Sequence, residues 1–317
     1  MRSQISKTIL SIALIVLALS FYSSSAYPQE KAKPKDAAKV PAKTAAVDPS
    51  QYVGAETCNT CHDDQYKSYH AGPHWQTMKD SRRGVAFQGC EGCHGPGKAH
   101  SEAPSKDNIV TFTDKNGIQA SAYCLNCHQQ TSDQSNFQRS AHHRSNVGCT
   151  NCHSVHAAKV SDALLKQSTP NLCFTCHMEV KSSFSKPFHH RVNEGLIKCT
   201  DCHDQHGGFL SRQLRSSASN DQVCFKCHAE KAGPFTFEHA PIKNEGCASC
   251  HTPHGSANPR MLKRASVNLL CLECHTLTTD SSAPAIPTFH NQATKYTACT
   301  MCHAQIHGSN ASSYFFQ

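Results

Sequence analysis

The most apolar part of this 317-residue chain lies near its beginning, in residues 8–22. The basic residues Arg2 and Lys7 precede this stretch, and the small residues Ser24 and Ala26 follow it. Because the apolar run is short for a membrane span, this order predicts a cleavable secretory signal over residues 1–26. No other stretch has the composition of a membrane span, and we expect export to the bacterial periplasm or beyond.

Residues 27–50 have the opposite character, because lysine, proline and alanine dominate and large apolar side chains are rare. Such a segment cannot bury enough surface to fold, so it predicts a disordered tether. In residues 51–317 the apolar positions come in short clusters, without a sustained alternation of apolar and polar residues. This pattern predicts a domain that is mostly irregular, with short α-helices and little or no β-structure.

The same region contains ten copies of the pattern Cys-x-x-Cys-His, which use all 20 cysteines of the chain. Two thiols three residues apart lie on one side of a helical turn, where both can bond to one porphyrin, and the adjoining histidine then reaches its iron. This attachment signature predicts ten covalently bound c-type haems. The thioether cysteines are Cys58, Cys61, Cys90, Cys93, Cys124, Cys127, Cys149, Cys152, Cys173, Cys176, Cys199, Cys202, Cys224, Cys227, Cys247, Cys250, Cys271, Cys274, Cys299 and Cys302. The proximal iron ligands are His62, His94, His128, His153, His177, His203, His228, His251, His275 and His303.

A single Cys-x-x-Cys could instead be a redox dithiol or half of a zinc site. Neither alternative requires a histidine after every second cysteine. Ten copies with no cysteine left over therefore favour haem attachment. Thioether formation also agrees with export from the reducing cytosol.

The motifs are arranged in a longer repeat that contains two of them. Repeats begin near Cys58, Cys124, Cys173, Cys224 and Cys271, and the last four of these positions are 47 to 51 residues apart. We call the repeats units 1 to 5, and the two copies within each the first and the second motif. Repetition of one supersecondary unit predicts an elongated array of five two-haem repeats, in which each unit contacts mainly its neighbours.

Each unit also contains an intermediate histidine between its motifs and a trailing histidine soon after the second motif. Ten irons need ten distal ligands, and these positions predict His74, His100, His143, His156, His190, His206, His239, His254, His290 and His307. A trailing histidine follows its own proximal ligand too closely to reach the far side of the same porphyrin. We therefore expect it to ligate a neighbouring haem.

Three intermediate positions offer a choice, namely His70 or His74, His142 or His143, and His189 or His190. Alignment of the units selects His190, and the arginine that follows it also follows His143. His74 is the choice in unit 1. Two histidines on every iron leave no open position for a substrate, so the sequence predicts electron transfer and no enzymatic activity.

The formal net charge is +8, which would ordinarily favour an acidic partner. The two propionates of each haem would more than offset it, so we interpret the lysines and arginines as propionate partners and predict no nucleic-acid binding. Apolar residues make up 38% of the chain and include the cysteines. Since this is too little for an ordinary core, the porphyrins are expected to supply most of it.

Two stretches carry a resemblance to a known family. Residues 237–255 read FEHAPIKNEGCASCHTPHG, and residues 270–275 read LCLECH. They resemble the doubled Cys-x-x-Cys-His motif of the periplasmic decahaem cytochromes of the MtrA/DmsE/PioA family. Residues 90–100, CEGCHGPGKAH, are similar to that family as well. With the motif count, the resemblance covers the chain after the tether.

The resemblance implies a wire of bis-histidine haems for extracellular electron transfer, associated with the outer membrane on its periplasmic side. The implied partners are an outer-membrane β-barrel porin, an extracellular multihaem cytochrome, and a periplasmic or inner-membrane cytochrome donor. The alternatives are a free periplasmic shuttle, a subunit of an extracellular cytochrome filament, and a multihaem oxyanion reductase.

Overall fold

A computed structural model of the chain describes residues 47–215, 221–275, 290 and 298–316. They belong to the second of the two units into which the chain divides, Val40–Gln317. The predicted signal and residues 27–46 of the predicted tether lie outside the described residues. The last tether residues are exposed, and there Asp48 accepts a hydrogen bond from the Ser50 N–H at 2.9 Å at the start of a 3₁₀ turn.

Secondary structure in the described ranges consists of short helices. The α-helices are Ala55–Asn59, Asp63–Ala71, Glu91–His94, Lys98–Glu102, Gly117–His128, Ala141–Arg144, Cys149–Cys152, Asn171–Phe174, Met178–Phe184, Cys199–Cys202, Gln222–Phe225, Ala240–Asn244 and Val267–Cys271. The 3₁₀ helices are Pro49–Gln51, Pro73–Met78, Val85–Phe87, Lys106–Asn108, Phe137–Arg139, Asp162–Leu164, Ser211–Gln213, Ala229–Lys231, Cys247–Ser249, Pro259–Met261 and Cys299–Met301. Extended backbone pairs in isolated bridges within these ranges. The predicted fold class, short helices in an irregular chain with little β-structure, is confirmed.

The motifs fold locally as single helical turns. In nine of them the N–H of the histidine donates to the carbonyl of the first cysteine at 2.8–3.0 Å, and the motif that begins at Cys124 ends the helix Gly117–His128. Some of these turns carry their own cap. Asn151 accepts from the Gly148 N–H at 2.8 Å, and Asp201 accepts from the Lys198 N–H at 2.7 Å. These caps offset the weakness of isolated four-residue helices.

Within unit 2, the helix Gly117–His128 packs directly against the turn Cys149–Cys152. A side chain on Gly148 would overlap the Gly117 carbonyl, so the close approach requires glycine there. Ser121 is buried at the contact and accepts a hydrogen bond from the Cys149 N–H at 2.9 Å. The two motifs of one unit are thereby held side by side.

Consecutive units are joined through the loop that follows each second motif. Phe188 and Ser256 exchange backbone hydrogen bonds at 2.8 and 3.2 Å between units 3 and 4, and Phe237 and Ser309 do so at 2.8 and 2.9 Å between units 4 and 5. Between units 2 and 3, Gln213 instead accepts from the Ala141 N–H at 2.9 Å. The loop of one unit therefore reaches back to the intermediate segment of the preceding unit.

The buried apolar core of the described residues is small. Its cluster in unit 3 consists of Phe174, Phe184 and Val192. By contrast, Phe209 and Met301 are each 81% exposed. A polypeptide core of this size agrees with a fold in which bound porphyrins cover much of the remaining apolar surface.

Candidate haem sites

The first thiols of the two motifs in a unit lie close enough together that one shifts the pKa of the other. The pairs are Cys58 with Cys90, Cys124 with Cys149, Cys173 with Cys199, Cys224 with Cys247, and Cys271 with Cys299. The Cys124 thiol and the Ser121 hydroxyl lower the pKa of Cys149 to about 6, and the Cys173 thiol lowers the pKa of Cys199 to about 7. The predicted attachment points of the two haems in a unit are therefore adjacent.

The histidine rings form a second set of pairs. In the described residues, nine predicted proximal histidines each face another histidine, with ring centroids 6.0–6.4 Å apart. These pairs are His62–His100, His94–His156, His128–His74, His153–His206, His177–His142, His203–His254, His228–His190, His251–His307 and His275–His239.

The spacing fits a metal between the rings. A metal bound about 2 Å from each of two imidazole nitrogens places the ring centres roughly 6 Å apart, because each nitrogen lies about 1 Å from its ring centre. The ring pairs and the nearby thiols therefore provide the donor set that a covalently bound, six-coordinate haem requires.

The pairing follows a rule along the chain. The second-motif histidines of units 1 to 4 each face the trailing histidine of the next unit, as His153 faces His206 at 6.1 Å. The first-motif histidines of units 2 to 5 each face the intermediate histidine of the preceding unit, as His228 faces His190 at 6.4 Å. At the start of the array, His62 faces His100 of its own unit. Each interior ring pair is thus built from two successive units.

One of the predicted distal residues differs from the structure. The flanking arginine selected His143, but the structure turns that ring onto Phe137, at 5.5 Å between centroids, and places His142 opposite His177 at 6.3 Å. The reason is local: this segment is the helix Ala141–Arg144, capped by Ser140, whereas His190 lies outside any helix. The same flanking residue consequently does not orient the neighbouring ring in the same way.

At the other two ambiguous positions, the selected residue faces a proximal histidine. His74 faces His128 at 6.0 Å, whereas the exposed His70 lies against Trp75 at 5.4 Å. Beside His190, the His189 ring instead hydrogen-bonds Glu194 at 3.0 Å. This contact raises the pKa of His189, and a protonated imidazole cannot ligate iron.

Loss of hydration lowers the pKa of six predicted distal histidines, and the facing proximal ring adds to this effect. The six are His74, His156, His206, His239, His254 and His307. A lowered pKa favours the neutral imidazole. This is the form that binds a metal.

The second-motif histidines have a further contact that sequence reasoning missed. His153, His203 and His251 have Nδ1 at 2.6–2.9 Å from the carbonyl oxygens of Ala163, Arg212 and Arg260. Because a carbonyl only accepts, Nδ1 carries the proton and Nε2 is left to face the partner ring.

The residues that supply these carbonyls have an unusual backbone. Ala163, Arg212 and Arg260 have φ of 54–56°, and the residue after each also has a positive φ. Left-handed conformations of non-glycine residues cost on the order of 1 kcal/mol each. In all three units this turn precedes a repeated leucine, namely Leu165, Leu214 and Leu262. The repeated leucine is the sequence signal that could have indicated a common turn.

The short-helical fold, the paired thiols and the facing histidines define the class of multihaem c-type cytochromes. A sequence profile of the doubled CXXCH motif matches residues 142–182, 189–233 and 239–279, and a profile described as cytochrome c554 and c-prime matches residues 96–154. The multiheme cytochrome MtrA of Shewanella baltica (strain OS185) is 31% identical over 276 residues, which cover 82% of this chain and 80% of that protein.

The chain therefore belongs to the MtrA family of multihaem cytochromes, as the resemblance of its motifs predicted. Covalently bound c-type haem and electron transfer follow from that membership and from the motifs. Within the described ranges, no helix combines the length and apolar character needed to cross a bilayer.

Proposed function

We propose that this chain is a ten-haem wire that carries electrons between the periplasm and a conduit through the outer membrane. The observation that supports this function best is the series of facing histidines with centroids 6.0–6.4 Å apart, which links each unit to the next. The bound haems supply the change of iron oxidation state. The polypeptide holds the haems in order and supplies two histidine ligands to each iron.

The distal ligands that we propose follow the observed ring pairs. They are the predicted residues, with His142 in place of His143. For His303, the remaining proximal ligand, we propose His290 of the same unit. This choice mirrors the start of the array, where His62 faces His100 of its own unit. A terminal unit has only one neighbour and would complete one site from within.

The ligand pattern accounts for a carrier that performs no bond chemistry. Two histidines per iron exclude a substrate from the metal and keep the coordination unchanged when the oxidation state changes. Because the donors of each interior site come from two successive units, neighbouring sites are also held in fixed sequence. An oxyanion reductase would instead need one site with a missing distal histidine.

The proposed partners are an outer-membrane β-barrel porin that surrounds the wire, an extracellular multihaem cytochrome, and a periplasmic or inner-membrane cytochrome donor. The similarity to MtrA supports this assignment. The chain's irregular backbone and charged surface would be unpaired in hydrocarbon, so passage across the bilayer requires a protein sheath. A barrel wide enough to hold such a chain must exceed the small barrels that are filled by their own side chains.

Reconstitution tests the proposal. The cytochrome and its candidate porin are placed in liposomes that contain a trapped redox dye, and a membrane-impermeant reductant is added outside. We expect rapid reduction of the dye only when both proteins are present. Equal rates without the cytochrome, or failure of the two proteins to co-purify from the native outer membrane, would contradict the conduit and favour a free shuttle. Intact-mass measurement should show ten haems, each adding about 0.6 kDa to the exported chain.

A further inference from the structure

Unit 4 contains a buried carboxylate between its two haem motifs. Asp221 is 8% exposed and precedes Cys224 by three residues. Its two carboxylate oxygens accept from the Cys247 N–H at 2.9 and 3.0 Å. A carboxylate oxygen and the thiol sulfurs of Cys224 and Cys247 all lie within 4.8 Å of one another. The charge therefore lies beside the attachment points of both haems in this unit.

The same structural role is filled without charge in unit 2. Ser121 precedes Cys124 by three residues, is buried, and accepts from the Cys149 N–H at 2.9 Å. A neutral side chain thus suffices to hold the second motif against the first. At this position units 1, 3 and 5 have Ala55, Pro170 and Asn268, so Asp221 is the only carboxylate among the five units.

A buried charge is unfavourable unless another charge compensates it. Among the described residues, no Lys or Arg nitrogen lies within 4.0 Å of the Asp221 carboxylate. Its close neighbours are instead the two cysteines that carry haem. The positive charge on the irons is thus the natural counterpart of this carboxylate once the sites are loaded.

We propose that Asp221 sets the reduction potentials of the two haems attached in unit 4. Its fixed negative charge favours ferric over ferrous iron, because reduction removes one positive charge from each site. The haems of the Cys224 and Cys247 motifs consequently have lower potentials than their counterparts in unit 2, where Ser121 is neutral. This inference rests on the haem loading proposed above.

Glu91 of unit 1 is also a buried carboxylate, but its contacts differ from those of Asp221. Its carboxylate accepts from the backbone N–H groups of Val53, Gly54 and Gly97 at 2.7–3.0 Å. Three donors partly compensate its charge, and they tie the start of the domain to the second motif of unit 1. Substitution of Glu91 would therefore disturb the fold as well as the charge.

The test compares three near-isosteric variants of the full-length holoprotein. Asp221→Asn keeps an acceptor for the Cys247 N–H and removes the charge, and Asn268→Asp places a charge at the matching position of unit 5. Asp201→Asn is the control, because that carboxylate also caps a motif turn, through the Lys198 N–H, but is exposed. Intact mass first establishes that each variant carries the same number of haems as the parent protein.

Spectroelectrochemical titration then measures the ferrous fraction against applied potential. For Asp221→Asn we expect about two tenths of the haem absorbance to move to higher potential, by a change on the order of tenfold in the ferric-to-ferrous ratio at fixed potential. Asn268→Asp should move a similar fraction to lower potential by a smaller amount, since that site is only half-buried. Asp201→Asn should titrate like the parent protein.

A fully loaded Asp221→Asn protein with an unchanged titration curve would overturn the proposal. A shift equal to that of Asp201→Asn would also overturn it, because the effect would then not depend on burial. If Asp221→Asn loses haems, the titration of Asn268→Asp tests the proposal instead. A shift to lower potential in that variant supports the proposal, and an unchanged curve overturns it. A parent protein without the expected haems would contradict the proposed function, which is a separate outcome.

Discussion

The first and second motifs of a unit share one sequence pattern but hold their histidines differently. In the second motifs Nδ1 lies 2.5–2.9 Å from a backbone carbonyl in His94, His153, His203, His251 and His303. The first-motif residues His62, His128, His177 and His228 are exposed and form no such bond in the described part of the chain. In units 1 to 4, the second-motif histidine is therefore anchored to the backbone and the first-motif histidine is not.

Identical sequence motifs can therefore form haem sites whose histidines have different backbone contacts. A carbonyl that accepts from Nδ1–H fixes the ring and makes Nε2 a stronger donor. A stronger donor stabilises ferric iron, so we expect second-motif haems to have lower potentials than first-motif haems in comparable surroundings. Higher and lower sites would then alternate along the chain, apart from local charges such as that of Asp221.

The largest expected effect comes from removing a distal ligand of a first-motif site. His142→Ala should leave the iron at His177 five-coordinate, because the His142 ring faces His177 at 6.3 Å. About one tenth of the haem should become high-spin and bind carbon monoxide when reduced, as measured by electron paramagnetic resonance and absorption spectroscopy. His143→Ala is the matched control and should remain fully low-spin. The reverse result would restore the alignment-based choice.

The predicted haem ligands also show which features of the fold and of the sites the sequence can predict. The positions of the thiols, the short helical turns and the existence of two extra histidines per unit depend on local spacing, so the sequence predicts them. The ring that each proximal histidine faces depends on how successive units pack, and the spacing of residues in the sequence does not determine this packing. His142 and His143 are neighbours in sequence, and the start of the helix at Ala141 determines which ring faces His177.

The second prediction removes the carbonyl anchor from a second-motif site. Ala163→Pro forces φ from 54° to about −65°, which must turn away the carbonyl that lies 2.6 Å from His153 Nδ1. Ala163 is exposed, so the proline ring itself displaces no buried side chain. We expect about one tenth of the haem absorbance to move to higher potential in a spectroelectrochemical titration.

Ala163→Gly is the control for this substitution, because glycine adopts a positive φ readily and keeps the carbonyl in place. It should titrate like the parent protein. If Ala163→Pro retains all its haems and also titrates like the parent protein, the anchoring carbonyl does not set the potential. The proposed alternation between motifs would then have to be abandoned.

The smallest expected effect concerns a histidine that lies beside a ligand position without occupying it. His189 contacts Glu194 at 3.0 Å, and this contact raises the pKa of His189 and lowers that of Glu194. The stabilisation from His189 is complete below its unfolded pKa of about 6.5 and is lost as pH rises through the higher folded pKa. The contribution of Glu194 is present above its unfolded pKa of about 4.3 and is lost as pH falls through the lower folded pKa. The pair therefore stabilises the fold most between about pH 4.3 and 6.5. His189→Gln should lower the melting temperature slightly at pH 5.5 and hardly at all at pH 8.5, with an unchanged low-spin spectrum. His70→Gln is the control, because His70 has no carboxylate partner among the described residues and lies against Trp75. If His189→Gln instead opened a high-spin site, His189 would be the ligand opposite His228, and the distinction between the two adjacent histidines would be reversed.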